Sequence, residues 1–214
     1  MTMSGSNGPF GPSLDLAGVE SSYEDANYGS LFYGLVRSHR PARVVELGAY
    51  LGYSGLHMAA ALRDNDTIGS EIYLIDLWDE YPYRHCSMAD TKESFARNGL
   101  LGVAHCPVNF INADALSAAD RFADGSVDFL HVDISNDGDK MADIIPIWER
   151  KLSREPNALM VLEGGSAARD KIEWMTKYEK RPLRSWLEDP WVSERFCWFV
   201  VNPFPSITVI RRRP

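Results

Sequence analysis

One short segment carries residue types that suit a nucleotide-like ligand. It reads Glu46-Leu-Gly48-Ala-Tyr50-Leu-Gly52-Tyr-Ser54 and lies between a β-branched apolar run and an Ala/Leu-rich segment. A strand, a glycine-bearing turn and a helix form a cradle, because glycine lets the backbone approach a ligand and the helix start offers free N–H groups. Dinucleotide sites need the spacing G-x-G-x-x-G, which Tyr50 breaks. Glu46, an acid just before the first glycine, favours a ligand with a cationic amino group.

Further polar residues follow other apolar runs. Asp76, Asp114 and Asp133 each stand where a strand-like segment ends. Since the carboxyl ends of parallel strands meet at one edge of a sheet, we expect these acids to share a site with the glycine segment. His131 lies two residues before Asp133, so both side chains point to the same face of a strand. Histidine suits proton removal near neutral pH, which makes His131 a candidate base; a hydrogen-bonded histidine inside the strand is the alternative.

Alternating apolar runs and amphipathic segments predict the elements that carry these residues. Strands are expected at 43–47, 71–76, 108–112, 127–133 and 158–163, and helices at 28–40, 54–63, 87–100, 116–122, 140–152 and 167–180. Two more strand-like segments, 195–201 and 206–212, flank a turn at 202–205, and 183–192 is expected as a loop. This order predicts an α/β fold with a parallel sheet, covered by helices on both faces and closed by an antiparallel hairpin.

Length and composition fit one globular domain. The chain has 214 residues, 45% of them apolar and 24% charged. We expect a flexible tail over 1–20, a single domain over 21–214, and no membrane span, since no apolar run reaches about 20 residues. Three widely spaced cysteines favour the cytoplasm over a disulfide-linked secreted fold. The net charge of −8 disfavours a nucleic-acid partner, whereas a homo-oligomer fits base rates.

The segment from Val44 to Gly55 resembles the S-adenosylmethionine loop of catechol O-methyltransferase-like enzymes. Two later stretches are similar to strands of the macrocin O-methyltransferase-like enzymes of natural-product tailoring: Ile72-Tyr-Leu-Ile-Asp76-Leu-Trp78 and Val127-Asp-Phe-Leu-His131-Val-Asp133. The resemblance runs in order over residues 40–165. It implies a Rossmann-like class I methyltransferase fold with a seven-stranded, mostly parallel sheet, and S-adenosylmethionine as the methyl donor.

The resemblance also implies which residues bind the reacting part of this cofactor. Glu46 and Gly48 would hold its methionine portion, with Tyr50 packing beside it. Ser54 would bond the methionine carboxylate at the helix start. Asp133 would lie near the sulfonium and the methyl acceptor, either as a general base or in a role confined to the cofactor.

The nucleoside part is assigned to the ends of the second and third strands. Asp76 would accept hydrogen bonds from both ribose hydroxyls, which suits a carboxylate with two acceptor oxygens, and Leu77 and Trp78 follow it. Ala113 and Asp114 would contact adenine, with Asp114 accepting a hydrogen bond from its exocyclic amine.

Two groups of aromatic and histidine residues each allow two interpretations. One group would wall the adenine or acceptor pocket, or simply pack a loop: Trp78, Tyr81, Tyr83 and His85. The other would form part of a lid over the cofactor, or belong to an N-terminal helix that packs on the sheet: Tyr23, Tyr28 and Tyr33.

A metal ion is the point at which the sequence departs from the family pattern. Metal-dependent members use three oxygen-rich ligands, and magnesium suits them because it prefers oxygen and draws a hydroxyl toward ionisation. Asp133 and Glu163 match two of these positions, but Gly164 stands at the third. The lysine or histidine expected three residues after Asp133 is Asn136, and Lys140 lies one helical turn further on. Magnesium is left open, with Asp133 and Glu163 as its ligands if it is used.

The interpretation that fits these residues best is S-adenosylmethionine-dependent O-methylation of a small molecule in natural-product metabolism. Three alternatives stay open: methylation of nitrogen, another chemistry on the same fold such as hydroxylation or nicotinamide-dependent oxidoreduction, and a degenerate protein that binds the cofactor without turnover. Tyr50 in place of the second glycine, together with Asp114, argues against nicotinamide. A scaffold would have no need of Glu46, Asp76 and Asp114 together.

Overall fold

A seven-stranded sheet forms the centre of the protein, in a computed structural model that describes residues 11–82 and 86–214. The strands are β1 (Arg43–Leu47), β2 (Glu71–Asp76), β3 (Val108–Asn112), β4 (Phe129–Val132), β5 (Leu159–Glu163), β6 (Phe196–Val201) and β7 (Ile207–Arg212). The helices of this part of the chain are α1 (Tyr28–His39), α2 (Tyr53–Asn65), α3 (Met88–Arg97), α4 (Ala115–Ala118), α5 (Gly138–Lys151), α6 (Glu173–Lys177), α7 (Leu183–Leu187) and α8 (Pro190–Arg195).

The strand order is β3-β2-β1-β4-β5-β7-β6. Strands β1 to β5 pair in parallel, whereas β7 runs antiparallel between β5 and β6. The α/β fold with a closing antiparallel hairpin, predicted from the sequence, is confirmed. Among the described helices, none has the length and the apolar character that crossing a membrane requires.

Helices cover both faces of the sheet, and successive strand residues divide between the two cores. Val44 packs on the face that also buries Phe32 of α1 and Leu56 of α2. Val45, the next residue, packs on the opposite face with Trp148 of α5. This alternation is the period-2 geometry of a strand. Every residue of β4 and β5 is buried, as expected of central strands that are covered on both sides.

The helix predicted over 167–180 is wrong over most of its length. The structure has a 3₁₀ turn at Arg169–Lys171 and the short α6 instead. Side chains hold the chain in this shape, because the Asp170 carboxylate accepts a hydrogen bond from the Leu183 N–H (3.1 Å) and Arg169 binds Glu163. The segment 183–192, expected as a loop, forms α7 and the first turn of α8.

Packed structure begins earlier than the tail predicted over 1–20 would suggest. Residues 1–10 of that segment lie outside the described part of the chain. Within the remainder, Leu14 and Val19 are buried in the core. Asn98 fixes this segment to the end of α3, since its side chain exchanges hydrogen bonds with the backbone of Asp15 (2.7 and 2.9 Å).

The ends of β1, β2 and β4 meet around Gly48. Its N–H donates to the Ile75 carbonyl, and the Asp133 N–H donates to the Leu47 carbonyl, both at 2.8 Å. The Gly48 φ is +89°, and a Cβ at this position would lie 2.2 Å from the Asp133 carbonyl oxygen. Only glycine fits, because backbone rather than a flexible side chain occupies the space.

We expect Gly48→Ala to lower the free energy of unfolding by about 3 kcal/mol or more, since strained backbone and overlap with a carbonyl act together. Gly125→Ala is the matched control, because Gly125 has a φ of +72° but a Cβ there would meet nothing within 4 Å. This control should cost about 1 kcal/mol. Urea denaturation measures both, and equal losses would contradict the close approach.

Candidate functional site

The segment after β1 is a tight loop in which Asp76 holds the backbone. Gly48, Tyr50 and Gly52 have φ values of 89°, 46° and 89°. The Tyr50 N–H donates to Asp76 Oδ2 at 2.7 Å, so the acid that ends β2 fixes the turn that follows β1. The two predicted parts of the site therefore meet, and the loop shape depends on this carboxylate.

Asp76 also keeps the capacity to bind a ligand. Its Oδ1 accepts a hydrogen bond from the Trp78 N–H at 3.0 Å, and the residue is half-buried, as is Leu77. Each carboxylate oxygen has a second lone pair, which suits the two hydroxyls of a ribose. The Ala113 N–H donates to the Asp76 carbonyl at 3.1 Å and thereby brings the end of β3 beside it.

Asp114 caps α4 in this structure. Its exposed carboxylate accepts hydrogen bonds from the N–H groups of Leu116 (2.8 Å) and Ser117 (3.1 Å) and from the Ser117 hydroxyl (2.7 Å). The Ser117 hydrogen bonds lower the pKa of the Asp114 carboxyl. An adenine amine would have to share an acceptor that already holds the start of a helix.

Of the aromatic group predicted after β2, the structure describes Trp78 and Tyr81, and these two differ in their surroundings. Trp78 is only 1% exposed, and its indole N–H lies 3.0 Å from both the Tyr50 carbonyl and the Thr91 hydroxyl. It therefore packs inside the protein and supports the loop. Tyr81 is exposed, whereas Tyr83 and His85 lie outside the described residues.

A buried hydrogen-bond network lies beneath the loop. Glu46 and His131 are fully buried, and His131 Nδ1 lies 2.8 Å from Glu46 Oε1. This nitrogen carries the proton, because a carboxylate oxygen can only accept. The Ser54 hydroxyl donates to the same oxygen. Glu46, Ser54 and His131 thus lie at the predicted site but below its surface, and His131 matches the interpretation of a hydrogen-bonded histidine inside the strand.

Tyr23, from the segment before α1, connects this network to Asp133. Its hydroxyl lies 3.4 Å from His131 Nε2, and the phenol is also close enough to the Asp133 carboxyl for the two groups to interact electrostatically. Burial, followed by the nearby charges of Asp133 and Glu163, raises the pKa of the Tyr23 phenol well above its usual value. Sequence patterns offer Tyr23 either as part of a lid or as part of an N-terminal helix on the sheet, and nothing near it in the chain marks a partner 108 residues away.

Asp133 and Glu163 form an acidic pair at the ends of β4 and β5. Burial and the neighbouring Glu163 charge raise the pKa of the Asp133 carboxyl well above its usual value, and the two side chains form a hydrogen bond. The guanidinium of Arg169 binds Glu163 through Oε1. Arg169 is a site residue that sequence reasoning missed, because it lies in a segment predicted as a regular helix.

These residues do not fit a divalent metal ion. The two predicted ligands come together, but Glu163 is already paired with the cationic Arg169, and Gly164 supplies no side chain. Within residues 11–82 and 86–214, no group of three or more His, Cys, Asp or Glu side chains is arranged to hold a metal. Magnesium needs oxygen ligands in near-octahedral geometry, which two carboxylates beside an arginine do not offer.

Comparisons with known proteins agree with this fold. A family model described as methyltransferase domain matches residues 45–163, from β1 to the end of β5. No curated protein matches the sequence. A methyltransferase from Geobacter sulfurreducens has a TM-score of 0.63 at 20% identity, over 95% of this chain and 91% of that chain.

Two solved O-methyltransferases are also similar in structure. TomG from Streptomyces achromogenes, involved in tomaymycin synthesis and solved with S-adenosylmethionine, has a TM-score of 0.63 at 14% identity, over 93% of this chain and 89% of that chain. An O-methyltransferase from Bacillus cereus, solved with S-adenosylhomocysteine, has a TM-score of 0.60 at 14% identity, over 94% and 84%. At these identities the likeness shows a shared fold.

We expect Asp133→Asn to stabilise the protein increasingly as pH rises. The raised pKa means that the folded state binds the Asp133 proton more tightly than the unfolded chain does. The stabilising contribution is therefore complete below about pH 4 and is lost as pH rises through the folded-state pKa. The amide that replaces the carboxyl does not ionise, so the variant does not lose this contribution, and the amide can donate a hydrogen bond to Glu163. The free energy of unfolding of the variant should therefore exceed that of the wild type by about 1 kcal/mol at mildly alkaline pH.

Urea denaturation across this pH range measures the difference. The matched control is Asp120→Asn, which changes an exposed carboxylate. A gain of the same size in both variants, or a gain that does not grow with pH, would contradict the acidic pair.

Proposed function

We propose that this chain, which belongs to the methyltransferase domain family, transfers the methyl group of S-adenosylmethionine to a hydroxyl oxygen of a small molecule. The observation that carries the proposal is the meeting of three strand ends in the matched region. The loop from Gly48 to Gly52 is tied to Asp76 at 2.7 Å and touches the backbone of Asp133. Ligands of open α/β sheets bind at such an edge.

The residues around the loop suit S-adenosylmethionine. Asp76 has acceptor capacity for the ribose, and Ala113 and Asp114 lie beside it for the adenine. Glycines at 48 and 52 let the backbone approach the methionine portion. Glu46 and Ser54 contribute through the loop they support, because both are buried and bonded to each other. The two O-methyltransferases with bound sulfur ligands support the same choice of cofactor.

When bound, the cofactor supplies an electrophilic methyl group on a positively charged sulfur. Asp133 is half-buried at the end of β4 and is the side chain that we assign as general base. Asp133 would accept the proton of the acceptor hydroxyl as that oxygen takes up the methyl group. A raised pKa makes this carboxylate a stronger base than an ordinary aspartate. His131 has no exposed surface and acts through Tyr23 and Glu46 instead.

Oxygen rather than nitrogen is proposed because of this base. An amine acceptor loses its proton easily and needs mainly proximity and alignment, whereas a hydroxyl gains from a base beside it. A role in natural-product biosynthesis rests on the sequence resemblance and on TomG. Three free cysteines, Cys86, Cys106 and Cys197, support a reducing cytoplasm. The excess of acidic residues argues against nucleic acid as the acceptor, and a homo-oligomer remains an expectation from base rates.

We expect S-adenosylmethionine and S-adenosylhomocysteine, but not NAD, to stabilise the protein against heat. A ligand at about 100 times its dissociation constant adds about 2.7 kcal/mol, which shifts the midpoint by several degrees in a domain of this size. Asp76→Asn should weaken S-adenosylhomocysteine binding about tenfold or more, because one oxygen and the negative charge are lost.

Calorimetric titration with S-adenosylhomocysteine measures this affinity. Asp120→Asn again serves as the control and should bind like the wild type. If neither sulfur ligand shifts the midpoint, the proposed cofactor is wrong; if both bind but no acceptor from a panel of hydroxyl and amine compounds is methylated, the protein binds the cofactor without turnover.

We expect Asp133→Asn to lower kcat for a hydroxyl acceptor about a hundredfold, since a general base contributes about that much. Its affinity for S-adenosylhomocysteine should stay within about threefold of the wild type, as the change removes no cofactor contact that we assign. Mass spectrometry of the methylated product gives the rates and distinguishes oxygen from nitrogen. If the variant has a normal kcat, Asp133 is not the general base.

A further inference from the structure

A positive charge occupies the end of β5, at the place where the family pattern would put metal ligands. The guanidinium of Arg169 pairs with Glu163, and the two side chains are 15% and 8% exposed. The pair is therefore largely shielded from water, which makes the charge interaction stronger than that of a surface ion pair. The Arg169 guanidinium also lies over the Phe204 ring, with its central carbon 5.6 Å from the ring centroid.

The backbone around Arg169 is fixed as well. Its N–H donates to the Ser166 hydroxyl, and its carbonyl accepts a hydrogen bond from the Asn136 side-chain amide, both at 3.2 Å. Asn136 stands where the family pattern has a lysine or a histidine. The residue that departs from the pattern therefore helps to hold the arginine in place.

Gly164 makes room for this arginine. A Cβ at position 164 would lie 3.2 Å from Arg169 Cγ and 3.1 Å from Asn136 Cβ, and the φ of +89° disfavours any other residue. The stem of Arg169 thus packs against the position from which a third metal ligand would extend. The absence of a ligand side chain at Gly164 and the presence of the Arg169 guanidinium therefore belong to the same local arrangement.

We propose that the Arg169 guanidinium takes the place of a divalent cation in this site, and that the chain works without such a cation. The inference rests on the proposed function only in treating the ends of β4 and β5 as part of the methyl-transfer site. Its test measures magnesium binding and requires no methyl acceptor. Arg169 is a positioning residue: it compensates the charge of Glu163 and holds that carboxylate beside Asp133. Asp133 is then left to face the acceptor.

Removing the guanidinium tests the proposal directly. We expect magnesium at millimolar concentration to leave the thermal midpoint of the wild type unchanged and to give no saturable heat in calorimetry. Arg169→Gln leaves two neighbouring carboxylates without their cation, so its midpoint in chelator should fall. Magnesium should then raise that midpoint by several degrees, because an ion that binds the folded state stabilises it. Arg169→Lys, which keeps a positive charge, should show no response to magnesium.

Two results would contradict the proposed role of Arg169. Saturable magnesium binding to the wild type that is lost in Asp133→Asn would overturn the proposal. If Arg169→Gln folds but magnesium does not raise its thermal midpoint, the proposal is also wrong. In that case no divalent cation would bind where the guanidinium lies. Should Arg169→Gln not fold, wild-type calorimetry and Arg169→Lys still decide. Stabilisation by S-adenosylhomocysteine, measured on the same samples, tests the proposed function separately.

Discussion

The hydrogen bond between Glu46 and His131 is the interaction on which the site depends. It joins β1 to β4 at 2.8 Å between two side chains without exposed surface. A buried carboxylate needs hydrogen bonds that compensate for the loss of water. Ser54 and His131 both bind Glu46 Oε1, whereas Glu46 Oε2 is buried without a hydrogen-bond partner among the described residues. Because Ser54 lies in the first turn of α2 and Tyr23 reaches His131 from the N-terminal segment, one buried carboxylate connects four parts of the chain.

The charge pattern continues from this pair to the surface. Tyr23 links His131 to Asp133, Asp133 pairs with Glu163, and Glu163 pairs with Arg169. Glu46 has the His131 ring as its partner and Glu163 has the Arg169 guanidinium, whereas Asp133 lies between the Tyr23 phenol and the Glu163 carboxyl. Asp133 and Arg169, toward one end of this row, are half-buried, whereas Glu46 and His131 at the other end have no exposed surface. Under the proposed function, the residue that we assign to the reaction and the residues that support it thus belong to one connected network.

Local sequence was sufficient for the fold and for the loop. The glycine segment, the apolar strands and the acids at strand ends are contiguous patterns, and each determines nearby backbone geometry. Local sequence does not predict which side chains these acids pair with. Glu46 finds its partner 85 residues away, and Arg169 reaches Glu163 by interrupting a segment whose composition favours a helix. Spacing likewise placed His131 and Asp133 on one face of a strand, but whether either is exposed depends on Tyr23 and Phe32, which come from a distant segment.

The N-terminal segment also has a consequence for how the chain is made. The Tyr28 hydroxyl donates to the carbonyls of Val201 and Pro203 in the hairpin between β6 and β7, at separations of 173 and 175 residues. Contacts between such distant residues are slow to form, because a long loop must close before they are gained. During synthesis Tyr28 leaves the ribosome long before its partners exist. The hydrogen bonds of Tyr28 can therefore form only after the hairpin has emerged, whereas Tyr23 and Phe32 of the same segment can meet His131 earlier.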